Sequence, residues 1–332
     1  MTQVEKKTAL TDTVLLVKNL RVYFFAGRRV VKAVDDVSLE VERAETVGIA
    51  GESGCGKSTL ARSIMQVVPP PGRIVSGEIF FRGIDLLGMS DRDRRKIRGD
   101  KIGIIFQDPS TFLNPTIPVG MQICDVILAH HRLSRKQARR KAEQLLEEVG
   151  IPEPALRFHS YPHELSGGMK QRVLIAMAIS CDPELVIADE PTTALDVTIQ
   201  RQILELIKRK IIRKGHAVLF ISHDLSILAE ICNRIYVMYA GKVIEQAKTI
   251  DLFQTPFHPY THKLLSAIPR HDVKRLLAEI KGSPPSLDDL PNGCSFEPRC
   301  DSGTPKCREE EPQLKKVGNT HFVRCHNVQG EL

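Results

Sequence analysis

A glycine-rich segment between two regular elements constrains this chain more than any other feature. Residues 51–58 read GESGCGKS, which fits the pattern G-x-x-x-x-G-K-[ST], and they directly follow the apolar run Thr46–Ala50. After Lys57, apolar residues recur at helical spacing. A strand, a glycine-rich loop and a helix in this order let backbone N–H groups surround phosphate at the positive end of the helix. The segment predicts an α/β fold that binds a nucleotide.

This loop supplies most of the predicted nucleotide-binding residues. Lys57 offers a cation to the β- and γ-phosphates, and the Ser58 hydroxyl is a ligand for Mg²⁺. The glycines keep side chains away from the phosphates, so that the backbone can approach them. The predicted set in the loop is Gly51, Ser53, Gly54, Cys55, Gly56, Lys57, Ser58 and Thr59.

A second apolar run ends in two carboxylates. Leu185–Ala188 is followed by Asp189 and Glu190. At the end of a buried strand, Asp189 is placed to hold Mg²⁺, directly or through water, and Glu190 is placed to polarise the attacking water. Such a pair is common for structural reasons alone. Together with the glycine-rich loop, however, it predicts nucleotide hydrolysis.

Further segments indicate the class of nucleotide-binding protein. Residues 165–172, LSGGMKQR, resemble the signature sequence of the ABC ATPases, in which a Ser-Gly-Gly turn opens a helix. Gln107 matches the Q-loop of that family, Asp196 its D-loop and His223 its switch histidine. With the loop and the acidic pair, these motifs occur in the order typical of the family.

The resemblance to ABC ATPases covers residues 14–250 and departs at Met169, where the broad family commonly has Gln. It implies a P-loop NTPase (RecA-like) α/β core with an antiparallel β subdomain, and a helical subdomain inserted at about residues 108–174. Residues 1–250 are therefore expected to form the nucleotide-binding domain. A small loop-rich metal-cluster domain is expected over residues 251–332.

The same resemblance implies roles for individual residues. The expected catalytic residues are Gln107, Glu190 and His223. The expected Mg²⁺ ligands are Ser58, Gln107 and Asp189. Adenine is expected to stack on an upstream aromatic ring, for which Phe24 is the first choice and Tyr23 the alternative.

The resemblance further implies a head-to-tail dimer with two ATP molecules at its interface. Each site takes its phosphate loop from one subunit and its signature turn and D-loop from the other. The residues expected to act in trans are Ser166, Gly167, Gly168 and Asp196. Because the chain has one copy of each motif, a second ABC ATPase subunit, either a paralogue or another copy, must complete the site.

The C-terminal segment points to a subfamily. Residues 257–261, FHPYT, followed by LLSAIP, resemble the start of the C-terminal extension of oligopeptide and dipeptide permease ATPases. Four cysteines follow with the spacing C-x5-C-x6-C-x17-C, namely Cys294, Cys300, Cys307 and Cys325. A loop-rich module with little apolar content often needs a metal centre to order it.

Three states of these cysteines are compatible with their spacing. A 4Fe–4S cluster and a zinc ion both take four thiolates, and free or disulfide-bonded cysteines are the third alternative. The C-x2-C pairs typical of structural zinc are missing, and the family resemblance favours the iron–sulfur cluster. His321 and His326 flank the last cysteine and are alternative ligands, although solvated loop histidines are the simpler interpretation.

Charge and hydropathy leave two classes of function in competition. The chain has 47 Lys and Arg against 40 Asp and Glu, so a nucleic-acid-associated ABC ATPase of the repair type is an alternative. Those ATPases, and the regulatory or translation-associated ones, usually carry tandem ATP modules, whereas this chain has one. No apolar run approaches the roughly 18–20 residues that cross a bilayer, and the polar N-terminus does not resemble a secretory signal. We expect a peripheral protein on the cytoplasmic side of the cell membrane.

The favoured function is that of the ATP-hydrolysing subunit of an ABC importer for dipeptides or oligopeptides. Its expected partners are a second ABC ATPase subunit, two transmembrane permease subunits and, indirectly, an extracellular substrate-binding protein. No nucleic acid is expected. Nickel and oligosaccharide importers have closely similar ATPases, so these cargoes stay open as alternatives.

Overall fold

The computed structural model describes residues 12–193, 195–268 and 280–328. By its internal contacts the chain divides into two compact units, each assembled from separated stretches of sequence. The first unit consists of Met1–Val14, Val41–Glu45 and Arg82–Leu219. The second consists of Leu15–Glu40, Thr46–Phe81 and Phe220–Leu332.

Strands and helices alternate along most of the described chain. The strands are β1 (Thr13–Ala26), β2 (Arg29–Glu42), β3 (Thr46–Ala50), β4 (Gly72–Phe81), β5 (Ile84–Asp85), β6 (Ile102–Ile105), β7 (Leu185–Asp189), β8 (Ala217–Ile221), β9 (Arg234–Tyr239), β10 (Lys242–Lys248), β11 (Lys315–Lys316) and β12 (Phe322–Val323). The α-helices are α1 (Lys57–Ile64), α2 (Asp91–Ile97), α3 (Pro109–Phe112), α4 (Val119–His130), α5 (Arg135–Glu148), α6 (Pro154–Arg157), α7 (Gly167–Ile179), α8 (Val197–Lys210), α9 (Leu225–Ile231), α10 (Thr249–Gln254), α11 (Pro259–Ser266) and α12 (Pro305–Glu309). Short 3₁₀ turns cover Pro162–Glu164, Ile212–Lys214 and Glu297–Arg299.

The second unit contains both antiparallel and parallel strand pairs. β1 pairs antiparallel with β4, and β3 pairs parallel with β9. β9 and β10 form a hairpin whose turn residues, Ala240 and Gly241, both have positive φ (47° and 81°), as a tight hairpin turn requires. The short runs 235–238 and 242–244 on either side of Ala240 and Gly241 predict this pairing from the sequence, and the structure confirms it. β10 also pairs with β12, which comes from the C-terminal segment.

The first unit combines helices with a pair of parallel strands. β6 and β7 pair in parallel, with Ile105 opposite Ala188, and β7 is buried throughout. Ser134 and Gly150 predict the start and the end of a helix over residues 134–150. The cap at Ser134 is confirmed, because its hydroxyl accepts the Gln137 N–H and the Gln137 side chain accepts the Ser134 N–H. The helix ends two residues before Gly150, which has a φ of 78°.

Two other expectations have different outcomes. Leu60, Ile64 and Val67 recur at helical spacing, which predicts a helix as far as Val67, but α1 ends at Ile64 and Val67 is 41% exposed. The basic runs at residues 92–101 and 132–141 predict polar faces of helices. Residues 92–97 lie in α2, which has no buried residue, and residues 135–141 lie in α5, whose four buried residues are apolar. The other residues of both runs lie outside these helices, so the prediction is confirmed only in part. Within the described ranges, no helix has the length and apolarity needed to cross a membrane.

Candidate functional site

The phosphate loop joins β3 to α1 in the second unit. β3 is fully buried, and the loop needs glycine at its last position, since Gly56 has a φ of 107° and a Cβ atom there would clash with the Ala33 carbonyl oxygen. Ser53 and Gly54 are exposed, whereas Lys57 is only 4% exposed. The described geometry is that of a glycine-rich loop opening a helix, as the sequence predicted.

The Lys57 ammonium group lies within this loop. Its Nζ atom donates to the Gly51 carbonyl oxygen at 2.8 Å and to the Glu52 carbonyl oxygen at 2.9 Å. Both acceptors are backbone carbonyl oxygens of the loop itself, so these bonds hold the ammonium group against the loop backbone. Ser58 and Thr59, the first residues after the lysine, are half-buried.

The acidic pair lies in the first unit, at the end of β7. Asp189 is 1% exposed and Glu190 is 7% exposed, with a φ of 46° that turns the chain sharply after the strand. Glu190 Oε2 accepts hydrogen bonds from Gln107 Nε2 at 3.1 Å and from Thr193 Oγ1 at 2.9 Å. Because β6 and β7 are parallel neighbours, the residues that follow them meet at one edge. Gln107 and Glu190, predicted separately, are thus brought together.

The signature turn and the D-loop each begin a helix of the first unit. The Ser166 hydroxyl caps α7 by accepting the Met169 N–H at 3.3 Å, and Asp196 caps α8 by accepting the Ile199 N–H at 3.0 Å. A Cβ atom on Gly168 would lie 2.8 Å from the Ile199 side chain, so the two helix starts adjoin. Ser166, Gly167 and Asp196 are exposed.

The two aromatic candidates for adenine stacking differ in their contacts. The Tyr23 hydroxyl donates to Asp35 Oδ1 at 2.7 Å. Burial, and to a smaller extent this hydrogen bond, raises the pKa of Tyr23 to about 12. Phe24 is half-buried, with its ring beside the position where Gly72 would carry a side chain. His223, the predicted switch histidine, is an exposed residue after β8. Tyr23, Phe24 and His223 all belong to the second unit.

The four C-terminal cysteines line one small cavity of the second unit, together with His258 and His326. The Cys294 N–H donates to the Cys307 carbonyl oxygen at 2.7 Å, which ties the first cysteine to the third. The sequence predicted that these residues act as a group, and the cavity brings them together.

The two histidines beside the last cysteine have separate partners. His321 is 4% exposed and its Nε2 lies 2.7 Å from Glu245 Oε1, so the interpretation of His321 as a solvated loop residue is wrong. His326 Nε2 lies 2.9 Å from the Glu310 carbonyl oxygen. Glu245 draws His321 inward because a fully buried carboxylate needs hydrogen-bond donors.

Comparison with known proteins places the chain in a family. The sequence family described as ABC transporter matches residues 34–193, and the family described as oligopeptide/dipeptide transporter, C-terminal region, matches residues 244–307. A probable peptide ABC transporter ATP-binding protein of Sinorhizobium fredii is 47% identical over 95% of either chain. The dipeptide transport ATP-binding protein of Escherichia coli is 46% identical over 94% of this chain and 96% of its own. The chain belongs to the family of peptide ABC transporter ATP-binding proteins.

Solved structures agree with this family. The ATP-binding cassette MJ0796, in a dimeric post-hydrolysis state bound to ADP and Pi, has a TM-score of 0.64 and 29% identity, covering 71% of this chain and 98% of its own. The protein cbiO1 from Clostridium perfringens, part of the ABC transporter complex cbiONQ, has a TM-score of 0.61 and 27% identity, covering 74% of this chain and 92% of its own. The expected ABC ATPase fold is confirmed, and this ABC protein is an ATPase.

Two contacts of this ABC protein were not predicted from its sequence. Thr193 holds Glu190, and its only signal was a hydroxyl three residues after the carboxylate. Glu52, at a variable position of the phosphate loop, binds the guanidinium group of Arg299. No local pattern connects two residues that are 247 positions apart.

Proposed function

We propose that this ABC protein hydrolyses ATP to drive the import of dipeptides or oligopeptides through a membrane permease. The observation that carries the catalytic part is the buried Glu190 carboxylate, which follows Asp189 and is held by Gln107 and Thr193. A carboxylate fixed in this way can accept a proton from an attacking water. Glu190 is accordingly the proposed general base.

The remaining catalytic residues are proposed from their types and positions. Lys57 binds the β- and γ-phosphates, and His223 orients the γ-phosphate with Glu190. Phe24 is the proposed ring that stacks on adenine, and Tyr23, whose hydroxyl is bonded to Asp35, is the alternative. Ser58, Gln107 and Asp189 offer the oxygen ligands that Mg²⁺ prefers, and the ion would neutralise charge on the phosphates when bound.

We propose that the site is completed by a second ABC ATPase subunit, a paralogue or another copy, in a head-to-tail dimer. The residues acting in trans are Ser166, Gly167, Gly168 and Asp196. Three observations support this assignment: the two capped helix starts adjoin, Ser166 and Asp196 are exposed, and the matched cassette was solved as a dimer. Exposed N–H groups at a helix start are suited to a γ-phosphate offered by the partner.

Cargo and membrane partners are proposed from the family. The named relatives are peptide and dipeptide transport proteins, and the C-terminal match is to an oligopeptide/dipeptide transporter family. Two transmembrane permease subunits would bind the helical subdomain at about residues 108–174, on the cytoplasmic side of the membrane. An extracellular binding protein would deliver the peptide. Nickel or oligosaccharide import, and action on nucleic acid, are not favoured by these relatives.

We further propose that the extension over residues 251–332 holds a 4Fe–4S cluster on its four cysteines. All four cysteines line one small cavity of the second unit. Four thiolates around one cavity are the ligand set of a 4Fe–4S cluster. A zinc ion takes the same four thiolates, so the preference for the cluster rests on the family resemblance.

Substitution of Glu190 by Gln tests the proposed catalytic site. The amide keeps the size and hydrogen bonding of the side chain but cannot accept a proton. We expect Glu190→Gln to bind ATP like the wild type, while hydrolysis by the complete transporter falls by about 10²-fold or more. Lys57→Ala is the companion variant and is expected to lose ATP binding. Near-normal hydrolysis by Glu190→Gln would refute the assignment.

A further inference from the structure

Glu52 is the residue of the phosphate loop that contacts the C-terminal extension. Arg299 binds its carboxylate with two nearly parallel hydrogen bonds, from Nη1 to Oε2 at 2.7 Å and from Nη2 to Oε1 at 3.0 Å. The Arg299 side chain is 5% exposed and that of Glu52 is 25% exposed. A two-pronged arginine–carboxylate pair of this kind fixes orientation as well as distance.

The backbone of Glu52 is also held from the extension. Its N–H donates to the hydroxyl of Tyr260, a fully buried residue of α11, at 2.9 Å. Its carbonyl oxygen accepts from Lys57 Nζ at 2.9 Å. One residue therefore connects the extension, through Arg299 and Tyr260, to the lysine that is proposed to bind phosphate.

Arg299 is itself positioned by the segment that carries the cysteines. It ends the 3₁₀ turn Glu297–Arg299 and immediately precedes Cys300. Its Nε donates to the Lys281 carbonyl oxygen at 3.1 Å, and Nη1 donates to the Tyr239 hydroxyl at 3.3 Å. The guanidinium group can reach Glu52 only while this segment keeps its fold.

A cluster of aromatic side chains packs beside the contact between Arg299 and Glu52. Phe296, 1% exposed, lies two residues after Cys294, and its ring centroid is 5.3 Å from those of both Tyr239 and Tyr260. Tyr239 hydrogen-bonds Arg299, and Tyr260 hydrogen-bonds Glu52. The fold around the first two cysteines and the conformation of the phosphate loop therefore share side chains.

We propose that Arg299 is a positioning residue for the phosphate loop, which makes the affinity for ATP depend on the folded C-terminal extension. The inference rests on the proposed assignment of residues 51–58 to the ATP phosphates. Arg299 neutralises the Glu52 carboxylate and fixes the loop backbone around Lys57. Without it, an uncompensated negative charge would lie in a loop that has to receive a triphosphate.

The coupling between ATP binding and the folded extension acts in both directions. If the folded extension raises the affinity for ATP, bound ATP stabilises the extension by the same free energy. Any change that unfolds the segment around Cys300 would then weaken ATP binding, although no cysteine touches the nucleotide. The affinity for ATP would in this way depend on whether the extension is folded.

The test measures the affinity of a fluorescent ATP analogue in the Glu190→Gln background, which prevents turnover. Arg299→Ala is expected to weaken binding about tenfold, the size of effect that one unbalanced charge near a ligand produces. Arg308→Ala is the matched control, because Arg308 bonds Glu297 in the same extension at 2.7 Å but is 73% exposed. It is expected to bind with wild-type affinity. The double variant Glu52→Gln with Arg299→Ala should regain most of the lost affinity, because the unpaired carboxylate is gone.

Three outcomes separate this inference from the proposed function. Wild-type affinity in Arg299→Ala, with binding lost in Lys57→Ala, would overturn the role of Arg299 and keep the ATP site. Wild-type affinity in Lys57→Ala would overturn the ATP-site assignment itself. A double variant as weak as Arg299→Ala would overturn the charge compensation. If circular dichroism finds Arg299→Ala unfolded, Arg299→Gln replaces it, and that variant is expected to bind about tenfold more weakly because a neutral amide does not compensate the Glu52 charge.

Discussion

Gly103 has no room for a side chain. It lies in the buried strand β6, and a Cβ atom there would clash with the Ala178 carbonyl oxygen of α7 and approach Pro183 Cγ to 3.2 Å. Backbone atoms of a helix cannot move aside as a flexible side chain can. We expect Gly103→Ala to lower the free energy of unfolding by about 2 kcal/mol, as measured by urea denaturation.

A matched control exists for this substitution at Gly303, where the same Cβ atom would meet its nearest neighbours at an ordinary 3.4 Å. Gly303→Ala is expected to change the unfolding free energy by less than about 0.5 kcal/mol. Equal stabilities for Gly103→Ala and the wild type would contradict the close packing of β6 against α7.

Single residues were predictable where the chemistry needs particular types at consecutive positions. The Gly-rich loop before Lys57 and the carboxylate pair Asp189 and Glu190 are of this kind, since each motif is read from a few neighbouring letters. The role of Arg299 was not predictable, because only the folded chain brings it to Glu52 and no sequence spacing connects the two residues. His321 was misjudged for the same reason, since its partner Glu245 lies on a strand 76 residues earlier.

At the scale of elements, the start of α5 offers a direct test of helix capping. Ser134 Oγ accepts the Gln137 N–H at 3.3 Å, and Gln137 Oε1 accepts the Ser134 N–H at 2.9 Å. Ser134→Ala leaves one N–H of the first turn without its acceptor and is expected to cost about 1 kcal/mol in thermal denaturation. Ser134→Asp keeps an acceptor and should retain stability. Equal losses in both variants would show that the cap contributes nothing.

Elements with a local signal were predicted better than their ends. The β9–β10 hairpin follows from two apolar runs around Ala240 and Gly241, whose positive φ values close a tight turn. The end of α1 was missed by one turn, because Val67 continues the helical spacing although the chain has already left the helix. Periodicity fixes which face is buried, but terminal hydrogen bonds decide where a helix stops.

The four cysteines of the extension give a prediction that absorption spectroscopy can test. If its four thiols bind a 4Fe–4S cluster, anaerobically purified protein should absorb broadly near ~400 nm and contain iron. Cys300→Ala should lose most of this absorption, whereas Cys124→Ala, a buried cysteine outside the group, should keep it. A colourless protein with stoichiometric zinc would contradict the cluster.

At the scale of the whole molecule, the extension belongs to the same compact unit as the phosphate loop. Sequence texture predicted a small appended domain from residue 251 onward. In the second unit, however, the extension supplies buried partners to residues before that boundary. The fully buried Glu245 accepts the N–H groups of Phe257 and His258, at 2.7 and 3.0 Å, and lies 2.7 Å from His321 Nε2.

Truncation tests whether the extension is an appendage or a part of the unit's core. A chain ending at residue 250 would leave the Glu245 carboxylate without these three donors and would remove the β12 strand paired with β10. Losing the partners of a buried charge costs several kcal/mol, so we expect the melting temperature to fall by about 10 °C. Glu245→Gln in the truncated chain removes the charge and should restore part of the loss. If the truncated chain has the same melting temperature as the full-length protein, the extension folds independently of the rest of the unit. The dependence of the phosphate loop on Arg299 would then lose its structural basis.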